Sequence, residues 1–245
     1  MDKFVLNSTV DKNNTNIEQI ATIPYYLMII NNLTINELGQ KQFLNVENEK
    51  LKGLVMLKML DKYFENIYKD ELDFFSSILA NISALKEGRI FLLENKIFDV
   101  ILAQVDKLNN FKMINMLRLF RNCCFEFEKY ENNLIVKDGY MLIVVFKILL
   151  LTNNSDNDVK IDVSSLDNIY FTHFNREKAI EDKETINDLV VDLFIVLTNT
   201  EKVFPLVVKN GLKTAWNKIL YKLANKDKEF EDRLFAITNF LSIHK

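Results

Sequence analysis

The chain has 245 residues, 49% of them hydrophobic, a formal net charge of −3, and only 5 Gly and 2 Pro. Ordinary chains carry roughly 12% Gly plus Pro, and sheet-rich folds place those residues at tight turns. β-Sandwiches, β-barrels and glycine-rich dinucleotide folds are therefore poor candidates, and no long-range basic field attracts nucleic acid.

In chain order, residues 1–16, with the polar run DKNNTN at 11–16, read as a flexible N-terminus without a secretory leader. Residues 17–245 read as a single helical-repeat domain. Pro24, early in the apolar run from Ile20, is expected to open the first helix. Phe75, Leu79 and Ile82 continue a helical stripe that begins at Leu72. Ile186, Leu189, Val190, Leu193, Phe194 and Leu197 form another over three turns, and Leu212 to Leu223 a third. Leu234, Phe235, Thr238 and Leu241 form the last. Several helices carry apolar residues off the main stripe, such as Val191 and Ile195, which suits helices packed on several neighbours. Breaks fall at Asn109-Asn110, Asn132-Asn133 and Asn153 to Asp158, and Asn substitutes for the scarce Gly at turns. The stretch 153–182 lacks clear periodicity and reads as an insertion.

An internal repeat is visible. Leu79 to Leu102 and Phe120 to Leu149 share a pattern: a helix end with Asn, a polar turn, a short apolar helix, a loop at Lys96 or Asp138-Gly139, then an apolar helix. Leu193 to Leu220 gives a third copy, and Ile29 to Thr34 begins a fainter one. Asn32, Asn81 and Asn122 occupy equivalent positions, with steps of 49 and 41 residues between them. A helical repeat of about 40–47 residues is that of HEAT and armadillo proteins. The expected fold is all-α, an armadillo/HEAT-like right-handed superhelical solenoid of stacked helices, monomeric when its ends are capped.

Chemistry is sparse. His173 and His244 lie in no metal-spaced cluster, and Cys123-Cys124, adjacent and set among Phe120 and Phe125, read as packing thiols in a reducing compartment. No catalytic residue, metal site or cofactor is expected. No run reaches the about 20 apolar residues of a membrane span. The repeated Asn suggests a protein-binding groove, because an amide matches the C=O and N–H of an extended peptide; the competing reading is turn capping. Residues four earlier share the face, so the candidate groove is Met28, Asn32, Ser77, Asn81, Arg118 and Asn122, with Arg121 beside Arg118 to attract an acidic segment.

At Arg118 to Glu128, RLFRNCCFEFE, the Arg-Asn-Cys-Cys-Phe string resembles the signature of the Hgh-one homologue (brain-protein-16-like) family. LANISALKEGRIFLLE, Leu79 to Glu94, is similar to that family's upstream repeat, and Arg176-Glu177-Lys178, Leu189 to Leu197 and Lys209 to Leu212 occupy its later landmarks. The resemblance spans residues 70–225. It implies an armadillo-type, non-enzymatic cytoplasmic adaptor; composition and cysteine usage by themselves read as cytosolic or nuclear. Such an adaptor assists folding of translation elongation factor two with the cytosolic chaperonin and the Hsp90 machinery. The alternative is a generic armadillo-repeat scaffold or transport adaptor binding an extended peptide in its concave groove. Nuclear-import receptors pair each groove Asn with a Trp four residues earlier. Here those positions hold Met28, Ser77 and Arg118, and the single Trp is Trp216.

Overall fold

The structure, a computed structural model, describes residues 17–48, 53–63, 73–126, 129, 136–153, 181–198, 203–209, 212–213, 216 and 228–243. Residues 1–16 and 154–180, where the flexible terminus and nearly all of the insertion were expected, lie outside the described residues. Every regular element among the described residues is helical. The chain is α1 (Ile17–Leu33), α2 (Glu37–Leu44), α3 (Leu54–Tyr63), α4 (Asp73–Ser83), α5 (Lys86–Glu94) and α6 (Ile97–Leu102), then α7 (Asn110–Cys123), α8 (Val136–Asn153), α9 (Lys183–Thr198), α10 (Val203–Lys209) and α11 (Lys228–Ile243). Short 3₁₀ turns at Val105–Lys107 and Cys124–Glu126 flank α7.

Asn does much of the punctuation. Asn36 caps α2 by accepting from Gly39 N at 2.9 Å, and Asn109 caps α7 by accepting from Lys112 N at 3.0 Å. Each such cap is worth about 1 kcal/mol. Asn45 ends α2 in the left-handed region at φ 52°, where Gly is the usual occupant. Lys96 supplies the expected loop between α5 and α6, also left-handed, at φ 53°. Gly139 keeps a positive φ of 87°, but it falls within the span of α8 rather than in a loop before it. Pro24 does not open α1: the helix begins at Ile17 and holds Pro24 inside. A proline there removes one bond to residue i−4, and Leu27, Ile23 and Ile30 nevertheless pack that helix into the core.

The long helices pack in chain order: α1 on α4, α4 on α7, α7 on α9, and α9 on α11. A second row runs α5, α6, α8, α10, with α5 set against α4 and α7 and α8 against α9. One apolar cluster runs through both rows from Leu27 to Ile237. Phe98 stacks on Phe120 at 4.7 Å between ring centroids, and Trp216 packs between Phe146 and Phe194. All six residues of the Ile186 to Leu197 stripe are buried, as are Phe75, Leu79 and Ile82. The last stripe is rotated from its expected setting. Leu234 is buried, Phe235 points outward, and Ile237 takes the inward place.

Candidate protein-binding surface on the row of long helices

The seven candidate residues sit on three neighbouring helices of the first row: Met28 and Asn32 on α1, Ser77 and Asn81 on α4, and Arg118, Arg121 and Asn122 on α7. Met28, Asn32 and Arg118 are exposed; Ser77, Asn81, Arg121 and Asn122 are half-buried. The half-burial has a cause. Asn122 Nδ2 donates to Ser83 Oγ at 2.9 Å, and Ser83 Oγ donates to Ala80 O at 2.6 Å. Asn81 Nδ2 reaches back to α1, within 3.3 Å of Asn31 O and Thr34 Oγ1 and 3.2 Å of Asn31 Oδ1. The repeated amides therefore clamp each long helix to the end of the one before it. The N–H groups that make these bonds serve the seams between helices. The α1 partner is Asn31, while Asn32, at the repeat position equivalent to Asn81, is exposed beside it.

The seam between α4 and α7 is polar at regular intervals. Asn122 with Ser83, Asn115 with Ser76 and Lys112 with Asp73 all lie 39 residues apart. Lys112 is fully enclosed, and its ammonium meets Asp73, whose carboxylate also accepts from Asn109 Nδ2 at 3.0 Å. A buried ammonium would be strongly unfavourable without such a partner. A small cavity, about 10 Å³ for water-sized contents, lies against Lys112, Ser76, Asn115 and the apolar side chains around them. That is about one water in size.

The next seam is ionic. Arg121 donates to Asp192 Oδ2 at 3.3 Å, and Arg233 on α11 holds both Asp188 Oδ1 and Asp188 O at 3.0 Å and Asp192 Oδ1 at 2.5 Å. Asp192 thus joins three successive helices. Between α5 and the turn after α7, Arg89 binds Glu126 Oε1 at 3.2 Å and the helix-end carbonyl of Ala84 at 3.0 Å. Sequence reasoning found neither Lys112–Asp73 nor the Asp188–Asp192–Arg233 group, because their partners are 39 to 45 residues apart. The only available signal was the helical spacing of Asp188 and Asp192.

These seams account for most of the Arg-Asn-Cys-Cys-Phe string. Arg121 pairs across to α9, Asn122 clamps α4, and both thiols are buried. Burial pushes both thiols well above their ordinary range, which disfavours the thiolate in the folded chain. Phe125 alone faces outward.

A family model described as a domain of unknown function, DUF383, matches residues 9–161, well over half of the chain and including that string. The chain belongs to this family. Over 189 residues it is also 26% identical to the protein HGH1 homolog of Dictyostelium discoideum, an alignment covering 72% of this chain and 51% of that relative. The resemblance carried by Arg121 to Phe125 therefore holds at the level of the family. The chain spans about half the length of the curated relative it matches. No solved structure matches it. Among the described residues no group of three or more His, Cys, Asp or Glu side chains gathers as metal ligands, and no helix is long and apolar enough to cross a membrane.

Proposed function

We propose that the chain is a non-enzymatic protein-binding adaptor that assists folding of translation elongation factor two together with the cytosolic chaperonin and the Hsp90 machinery. The observation carrying this reading is membership of the DUF383 family together with the 26% identity to the HGH1 homolog, joined to a row of long helices that leaves Asn32 and Arg118 facing outward. On this reading the two rows of helices wind as an armadillo-type right-handed solenoid. The chain-order packing of α1, α4, α7, α9 and α11 supports that winding. The binding surface is Met28, Asn32, Ser77, Asn81, Arg118, Arg121 and Asn122. Asn81 spends its Nδ2 on α1 and the turn after it, and Asn122 spends one N–H on Ser83, so both residues offer a partner their amide oxygens and Asn122 keeps its second N–H. The protein acts in the cytoplasm, as a monomer, without a cofactor.

The test is co-precipitation of purified elongation factor two, then of chaperonin subunits, by the tagged chain at near-physiological salt. Recovery of both with the wild-type chain supports the adaptor reading. Absence of the elongation factor removes it and leaves a helical scaffold whose partner is another protein.

A further inference from the structure

The outer edge of α7 carries a pattern that the seams do not use. Phe111, Arg118 and Phe125 follow at intervals of seven residues, so they lie along one side of the helix and its 3₁₀ extension. All three are exposed, Phe111 at 46% and Phe125 at 67%. The inward side of the same helix holds Met113, Met116, Leu117, Phe120 and Cys123, all in the core. Arg118 differs from the other described arginines. Arg89 has Glu126, Arg121 has Asp192 and Arg233 has Asp188 and Asp192. Among the described residues, Arg118 pairs with no carboxylate and makes one hydrogen bond, to Asn115 Oδ1 at 3.3 Å. The acidic pair on the neighbouring helix α9 is occupied, because Arg233 and Arg121 between them hold Asp188 and Asp192. An uncompensated guanidinium flanked by two exposed aromatic rings is the composition of an interface centre, where Arg and aromatic residues dominate the binding energy.

We infer that the Phe111–Arg118–Phe125 edge of α7 is a docking stripe for an amphipathic helix of a partner protein. That helix carries a carboxylate midway between two apolar side chains. The inference rests on the reading of the chain as a protein-binding adaptor and names the chemistry of the segment bound. Seven residues of helix rise about 10.5 Å, so a partner helix with apolar residues seven before and seven after a Glu or Asp matches the stripe in register. The sequence spacing is seven residues on each side, with the second interval slightly stretched by the 3₁₀ turn that holds Phe125, so it sets composition and approximate register but not helix polarity. The guanidinium selects for the acid, and a Lys at the central position meets like charge.

The experiment uses the whole chain and a fluorescein-labelled, otherwise Ala- and Gln-based helical peptide. The peptide has one central Glu and a Leu seven residues to either side; its control has Lys in place of Glu. Anisotropy is followed for the wild type, Arg118→Glu and the Phe111→Ala/Phe125→Ala pair. All three side chains are exposed, so unchanged thermal unfolding checks that the variants are folded. The Glu peptide is expected to bind the wild type at least about tenfold more tightly than the Lys peptide. Arg118→Glu reverses that preference, the Phe pair weakens both, and added salt weakens the Glu peptide. Equal binding of the two peptides, no binding by the wild type, or indifference to Arg118→Glu overturns the inference. These outcomes are separate from co-precipitation of elongation factor two: loss of the factor with the peptide preference intact removes the client and keeps the stripe.

Discussion

The amide of Asn122 donates to the hydroxyl of Ser83 at 2.9 Å, and that hydroxyl in turn donates a hydrogen bond to Ala80 O at 2.6 Å. The chain of bonds fastens the last turn of α7 to the last turn of α4. Asn81 does the same one repeat earlier, against Asn31 and Thr34. Asn122→Ala and Asn81→Ala are each expected to cost about 1 kcal/mol of stability, read from the fluorescence of the single buried Trp216 during urea unfolding. Asn32→Ala, on an exposed position, leaves the midpoint unchanged. A wild-type midpoint for both clamp variants, with weakened partner binding, would return these amides to the peptide-holding role.

Lys112 and Asp73 show an asymmetry. The Lys side chain is 0% exposed and the Asp 32%. Asp73→Ala leaves an ammonium enclosed without its carboxylate and is expected to cost about 3 kcal/mol. Lys112→Met removes the charge while filling similar volume and stays within about 1 kcal/mol of the wild type. Chemical denaturation of the two variants side by side measures the difference, and comparable losses from both would refute it.

Gly88 lets the start of α5 lie against the end of α4. A Cβ there would sit 2.1 Å from Ile82 O and 2.7 Å from the Ile82 side chain. Backbone cannot yield as a flexible side chain does, so Gly88→Ala is expected to cost at least about 2 kcal/mol despite its better helix propensity. Thermal unfolding decides it. A stabilised variant would mean that α5 can move away from α4.

The two thiols give the stability a pH dependence. Burial raises both Cys123 and Cys124, while unfolded thiols ionise near about pH 8.5. Below that pH both states hold the protons and the contribution is fully present. Above it the unfolded chain loses protons that the folded chain keeps, so stability falls by up to about 1.4 kcal/mol per pH unit for each thiol. Urea midpoints between pH 7.5 and 10 are expected to drop more steeply for the wild type than for Cys123→Ala. Native protein resists a thiol reagent at pH 8 that labels both residues after unfolding. Rapid labelling of the folded chain would contradict the burial.

What the sequence determined by itself was local. The stripe Ile186 to Leu197 is buried as its spacing required, Asn109 caps α7, and Lys96 turns the chain between α5 and α6. Those features depend on neighbours within about one turn, and i to i+4 geometry fixes them wherever the helix is placed. The string from Arg121 to Phe125 also marked the family correctly. Tertiary structure decided which surfaces meet. It paired Asn81 with Asn31 rather than leaving Asn32 in an equivalent role, kept Pro24 inside α1, and turned Phe235 outward. It tied Arg121 to Asp192, 71 residues away, leaving Arg118 without a carboxylate partner among the described residues. The physical reason is that an apolar stripe fixes a helix face only to within roughly 100°. Side-chain hydrogen bonds of 2.9 to 3.3 Å, as between Asn122 and Ser83 or Asn81 and Thr34, depend on the last few degrees of rotation and the last ångström of sliding. Those are set only when the neighbouring helix is in place.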